Sequence, residues 1–147
     1  MAPVRLAAAL TLLASLAWLA PAHAADLRIE VLGARNADGH MAIALFAAPG
    51  TGFPGDEKLA VRLVRVPIDE ASGRCATTLE SLPAGGYAAA VYHDHDDSGR
   101  LETGPFGMPR KPHGFSNDAA PAMRAARFEE ARFELPEDGA TITITLR

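Results

Sequence analysis

Residues 26–31, DLRIEV, alternate charged and apolar side chains. Because successive side chains of a β-strand point to opposite faces, this alternation predicts a strand with one buried face. The same pattern closes the chain at residues 141–146, TITITL, where isoleucine and leucine alternate with threonine. These two stretches predict the first and last strands of an all-β domain.

Short runs of β-forming residues lie between these two strands. They predict further strands at His40–Ala47, Leu59–Ile68, Gly73–Glu80, Gly86–His93 and Arg132–Leu135. The intervening stretches are rich in Asn, Asp, Pro and Gly, which favour tight turns. We therefore expect hairpin turns at Asn36–Gly39, Asp69–Gly73 and Pro83–Gly86.

The spacing of these runs leaves no room for long amphipathic helices. It predicts an antiparallel Greek-key β-sandwich of about seven strands rather than a βαβ sheet. Ser98–Pro121 contains many Gly and Pro residues, so we expect one long connection there that packs on the sandwich through Phe106, Met108 and Phe115. Met123–Ala131 predicts at most a short helical turn, with Phe128 facing inward.

The composition limits the domain organisation and the partners. The chain has 147 residues with 14 basic and 18 acidic side chains, a net charge of −4, which argues against a nucleic acid partner. Residues 1–24 have the charged start, apolar run and small-residue end of a secretory signal peptide. The apolar run, Leu6–Leu19, is shorter than the about 20 residues that a membrane-spanning helix needs. We expect cleavage after Ala24 and a single periplasmic or secreted domain over residues 25–147, without a membrane span.

Cys75 is the only cysteine of the chain, so it cannot form a disulfide within the chain. It lies in a predicted strand, which favours a buried thiol that packs as a small apolar group. An interchain bridge or a reactive thiol remains an alternative.

The sequence with the most chemical content is HDHDDSGRLE, residues 93–102. It places oxygen-bearing side chains at the first, third and fifth positions of a loop and glycine at the sixth, as at the start of an EF-hand calcium loop. The candidate ligands are the side chains of Asp94, Asp96, Ser98 and Glu102 and the main-chain carbonyl of Arg100. Pro105 stands where an EF-hand has its bidentate glutamate, so a site here would bind calcium weakly, with Kd on the order of 10⁻⁴ to 10⁻³ M.

Two other interpretations of this stretch stay open. Asp, Ser and Gly are also the residues of an ordinary solvated turn. A transition metal is the second alternative, with His93, His95 and His113 as imidazole ligands.

The sequence contains few catalytic signatures. Ser116 lacks the G-x-S-x-G elbow of hydrolases, and the phosphate-binding and zinc-protease motifs are absent. We therefore expect a protein that is not an enzyme.

Four stretches together resemble a known family of exported bacterial proteins, DUF2141. They are Leu82–Ala88 (LPAGGYA), Tyr92–Glu102, Phe106–Pro109 (FGMP) and Gly114–Asn117 (GFSN). The resemblance implies a small exported β-sandwich of the prealbumin-like, or transthyretin-like, type. It implies no activity.

Two functional hypotheses follow. The first is a non-catalytic binding or structural module with a calcium-type site in the loop 94–102, whose partner is a protein or small molecule that the sequence does not identify. The second is a periplasmic metal-dependent enzyme or transition-metal binder that uses His93, His95 and His113. The sequence leaves the oligomeric state open.

Overall fold

The two stretches with alternating side chains, at the two ends of the domain, form strands of one sheet. The computed structural model describes residues 23–105 and 109–147. The first sheet contains β1 (Ala24–Leu32), β4 (Cys75–Pro83) and β8 (Ala140–Thr145), in the order β4-β1-β8. Of the predicted signal peptide, only the last two residues fall within the described part of the chain.

The second sheet is built around β5, the longest strand described. Its members are β2 (His40–Ala47), β3 (Arg62–Val66), β5 (Gly85–Asp94), β6 (His113–Phe115) and β7 (Phe133–Leu135). The order is β3-β2-β5, and β6 and β7 both pair with β5, at different points along it. The prediction for β2 is confirmed to the residue.

The main core lies between the two sheets. Leu27, Ile29 and Val31 of β1 face inward and are fully buried, as the alternation predicts. They meet Ile43 and Val91 from the second sheet in one apolar cluster. The prediction of an all-β sandwich is therefore confirmed.

The described residues form eight strands, close to the predicted number of about seven. Two other details of the predicted fold were wrong. β1 and β8 run parallel, so the sandwich is not wholly antiparallel. The turns at Asn36–Gly39, Asp69–Gly73 and Pro83–Gly86 do not join paired strands, because each connects strands of different sheets. The turn at Asp69–Gly73 closes only an isolated antiparallel bridge between Asp69 and Arg74. Turn-forming residues specify a reversal of the chain, and whether the chain then pairs with its predecessor or crosses to the other sheet depends on which face must be buried.

A buried serine in the long connection after β5 forms hydrogen bonds to the rest of the domain. Ser116 Oγ accepts a hydrogen bond from the Ala89 N–H (2.9 Å) and donates one to the Ala131 carbonyl. Ala131 ends α1 (Phe128–Ala131), a single helical turn. Phe128 is buried, as predicted, and so is Phe115, whereas Phe106 and Met108 lie outside the described residues.

The face of the second sheet that points away from the first sheet, here called the outer face, carries a second apolar cluster. Phe53, from the loop after β2, lies edge-on against Phe46, Phe115 and Phe128, with ring centroids 5.4–6.0 Å apart. In the described part of the chain, no helix has the length and apolarity needed to cross a membrane.

Candidate functional site

The acidic turn, residues 94–99, begins at the end of β5. Asp94 is the last residue of that strand and is fully buried. Gly99 adopts a positive φ of 70°, which bends the chain so that its N–H donates to Asp94 Oδ2 at 2.8 Å. The sharp bend that the sequence predicts at Gly99 is present.

An ammonium group lies at the point where the oxygens of the acidic turn converge. Lys111 Nζ donates to Asp94 Oδ1 (2.5 Å), Asp96 Oδ1 (2.5 Å) and Ser98 Oγ (2.7 Å). The Lys111 side chain is itself almost completely buried, with 2% of its surface exposed. The turn thus gathers three of the predicted calcium ligands around a cation that belongs to the chain.

The remaining two predicted ligands differ in position. The Arg100 carbonyl oxygen lies 3.4 Å from Ser98 Oγ, at the edge of the cluster. Glu102 is exposed, and its main-chain carbonyl accepts a hydrogen bond from the Arg110 N–H. The main chain of Glu102 therefore links the part of the long connection that follows the acidic turn to the part that begins near Arg110.

The charges in this cluster shift one another's protonation equilibria. Burial raises the pKa of Asp94, but hydrogen bonds from Lys111 and from the Gly99 N–H outweigh it and bring the pKa below its usual value. The bond from Lys111 also lowers the pKa of Asp96. Burial lowers the pKa of Lys111, yet its bonds to the two carboxylates raise it overall. All three groups are therefore charged near neutral pH.

Other polar side chains lie near Oδ2, the second carboxylate oxygen of Asp94. His40 Nδ1 lies 2.5 Å from Asp97 Oδ1, and its Nε2 lies 3.6 Å from Asp94 Oδ2. Among the described His, Cys, Asp and Glu residues, these three are the one group of at least three whose possible ligand atoms all lie within 4.8 Å of one another. Arg65 NH1 donates a hydrogen bond to His40 Nε2 at 3.0 Å. Because Nε2 accepts this bond with its lone pair, the proton of the His40 ring is on Nδ1.

The three histidines that the sequence suggests as a metal cluster are not brought together. His93 points to the core side of the second sheet, and its Nε2 lies 2.7 Å from the Asp38 carbonyl oxygen. His95 lies next to it, with ring centroids 5.9 Å apart. His113 pairs with Tyr92 on the outer face and packs against Phe115. His93 and His113 are thus separated by the sheet itself.

A cleft opens on the outer face beside the acidic turn. This outer cleft has a volume of about 610 Å³. Its floor is formed by Ala44 and Ala90, register partners on β2 and β5. One wall is the Pro54–Lys58 loop, and the other is the segment from Gly99 to Thr103. Its lining is mainly apolar, and its volume lies within the about 300–1,000 Å³ of typical small-molecule sites.

Tyr92, on β5, also lines the outer cleft, and its hydroxyl is buried. The residue is only 6% exposed, and within the described residues its hydroxyl has no hydrogen-bond partner. Burial raises its pKa to about 12, so the phenol stays protonated. A buried hydroxyl without a partner is costly, on the order of 1–3 kcal/mol, and is rare in folded proteins.

Sequence reasoning missed Lys111 and Tyr92. Lys111 is 17 residues from Asp94, and no spacing rule relates a lysine before a proline to a carboxylate so far away. The alternation of β5 does place Tyr92 on the same face as Ala90, which is the one signal that could have drawn attention to it.

Cys75 is buried between the sheets, as predicted, and is not in a disulfide. Burial raises the pKa of its thiol to about 11. The reactive thiolate is therefore a minor species near neutral pH.

Comparisons with known proteins place this arrangement in one family. The model of a family described as an uncharacterized protein conserved in bacteria, DUF2141, matches residues 29–143. No curated protein and no solved structure matched the chain. The matched region runs from within β1 to within β8 and contains the acidic turn, Lys111 and the outer cleft. The chain therefore belongs to the DUF2141 family.

Proposed function

We propose that this protein is an exported, non-catalytic binding module whose ligand site is the outer cleft. The observation that carries the proposal is the cleft itself, about 610 Å³ of mainly apolar space that the described residues leave over β2 and β5. Ala44 and Ala90 leave this space, since larger residues such as Phe46 and Phe115 fill the neighbouring part of the same face. Its volume lies in the range of small-molecule sites, and its mainly apolar lining suits an apolar ligand.

The acidic turn supports a structural role beside the cleft rather than a catalytic one. General acids and bases work best with a pKa near the operating pH. The carboxylates of Asp94 and Asp96 are paired with Lys111, which keeps them ionised at neutral pH. Because Gly99 is bonded to Asp94, the ion cluster fixes one wall of the outer cleft.

The calcium prediction enters this proposal in a modified form. The turn binds a cation, and Lys111 supplies it. A calcium ion at the same oxygens would have to displace the ammonium, so calcium and Lys111 compete for Asp94, Asp96 and Ser98.

Export rests on the signal-peptide pattern of residues 1–24. Expression of the full chain with a C-terminal tag in a Gram-negative host should give a periplasmic product. Its intact mass should be that of a chain that begins at Ala25. Ala24→Glu should block this processing, because the cleavage site needs a small residue. A full-length cytoplasmic product from the unaltered chain would contradict export.

Binding is tested with N-phenyl-1-naphthylamine, a neutral apolar dye that fluoresces in apolar sites. The dye should bind saturably to the purified protein, and Ala90→Leu, which places a larger side chain on the cleft floor, should weaken binding at least tenfold. Ala71→Leu, at an exposed turn, is the matched control and should bind as the original protein does. Absence of saturable binding, or equal binding by both variants, would contradict the proposal.

A further inference from the structure

The apolar surface of the outer cleft is continuous with the aromatic cluster of the outer face. Ala90 on the floor pairs with Phe115 of β6, which belongs to that cluster. Tyr92, His113 and Phe115, on β5 and β6 of the same sheet, line the cleft beside the floor. A flat floor beside aromatic rings suits a planar or compact apolar body.

The charged groups of the cleft are at its rim and balance one another. Asp56 and Glu57 lie on one wall with Lys58, and Arg100 lies on the other. The buried ammonium of Lys111 is 5.9 Å from the Tyr92 ring centre, but its three bonds go to the acidic turn. A charged ligand would therefore lose its hydration without gaining a dedicated counter-ion, which is unfavourable.

Tyr92 lines the cleft, and its hydroxyl is the one buried side-chain polar atom among the described residues that has no hydrogen-bond partner. It is protonated, so it can donate a hydrogen bond, and within the described residues it has no acceptor. A ligand oxygen that accepts this bond would remove the cost of an unpaired buried hydroxyl.

From these observations we propose that the outer cleft takes a neutral, mainly apolar small molecule that carries a carbonyl-type acceptor for the Tyr92 hydroxyl. This inference rests on the proposed binding function and adds the chemical class of the ligand. The aromatic rings beside the floor select the body of the ligand, the balanced rim excludes a net charge, and Tyr92 selects the acceptor.

Three naphthalene dyes separate these features. N-phenyl-1-naphthylamine is neutral without a carbonyl, 8-anilinonaphthalene-1-sulfonate is the anionic analogue, and 6-propionyl-2-dimethylaminonaphthalene is neutral with a ketone. We expect both neutral dyes to bind at least tenfold more tightly than the sulfonate. Tyr92→Phe should weaken the ketone dye about fivefold, the loss of one neutral hydrogen bond, and leave N-phenyl-1-naphthylamine unchanged.

The emission of the ketone dye gives a readout in the unaltered protein. A hydrogen bond to its carbonyl shifts the emission to longer wavelength, so emission typical of a dry apolar site would overturn the assignment of Tyr92. Equal affinities for neutral and anionic dyes, or an equal effect of Tyr92→Phe on both neutral dyes, would overturn the ligand class while leaving the binding function in place. Failure of all three dyes to bind would instead contradict the binding function itself.

Discussion

Replacing Lys111 by methionine removes the ammonium at the centre of the acidic turn and keeps most of the side-chain volume. Asp94, fully buried, would be left with the Gly99 N–H and the Ser98 hydroxyl, and with Arg65 NH1 at 3.8 Å. Loss of one partner of a buried ion pair costs about 3–5 kcal/mol. We take the lower end, about 3 kcal/mol, because Asp94 keeps those partners. Asp96, with its side chain 43% exposed, can also be hydrated.

The assay is reversible urea or thermal unfolding followed by circular dichroism at pH 7. At about 4 °C per kcal/mol for a domain of this size, Lys111→Met should lower Tm by about 12 °C. Lys58→Met removes the chain's other lysine, which is exposed, and should change stability by less than about 0.5 kcal/mol. If the two variants lose equal stability, the ion cluster does not stabilise the fold and the reasoning is refuted.

The stability difference between the unaltered protein and Lys111→Met should also depend on pH, in a direction set by the pKa shifts. The pKa values of Asp94 and Asp96 lie below the usual 3.8 in the folded protein, so their contribution is present above that value and is lost as the pH falls through the folded pKa values. In Lys111→Met, burial without the ammonium raises the pKa of Asp94. Acidification from pH 7 to pH 4 should therefore shrink the stability difference between the two proteins, and a growing difference would contradict the assignment.

Three further predictions concern neighbouring features. Calcium at millimolar concentration should raise the Tm of Lys111→Ala more than that of the unaltered protein, because the ammonium no longer competes; an equal rise in both would show that Lys111 does not occupy the calcium position. Cys75 in the folded protein should react with a disulfide reagent at pH 8 at least tenfold more slowly than in urea, since burial raises its pKa to about 11; equal rates would show that the thiol is accessible. Ser116→Ala should lower the free energy of unfolding by about 2 kcal/mol, because it leaves the buried Ala89 N–H and Ala131 carbonyl without this partner, and unchanged urea unfolding would contradict that role.

Local sequence patterns predicted β1 and β2 well, for two different reasons. β1 alternates because only one of its faces is buried, whereas β2 is buried on both faces and is a continuous run of β-forming apolar residues. β6 was missed, since His113–Phe115 is only three residues long within a stretch rich in Gly and Pro, and its ladder with β5 makes it a strand. The parallel pairing of β1 with β8 likewise could not be predicted from local periodicity, because it joins two strands that are far apart in the sequence.

The candidate site was predictable only in part for the same reason. The spacing of Asp94, Asp96 and Ser98 correctly predicted that their oxygens converge, because that geometry belongs to one short turn. The cation at the centre comes from Lys111, brought there by a long connection whose path depends on tertiary packing. The outer cleft is also a tertiary feature, with two loops as its walls and Ala44 and Ala90 as its floor.

The most direct test of the binding function is a two-dimensional NMR titration of the ¹⁵N-labelled protein with N-phenyl-1-naphthylamine. The account predicts that amide signals of Ala44, Ala90 and Leu101, which line the outer cleft, shift progressively and saturate together. Signals of Ile29 and Ile142, on the opposite sheet, should stay in place. Shifts confined to the opposite sheet, or spread evenly over the whole domain, would contradict a ligand site in the outer cleft.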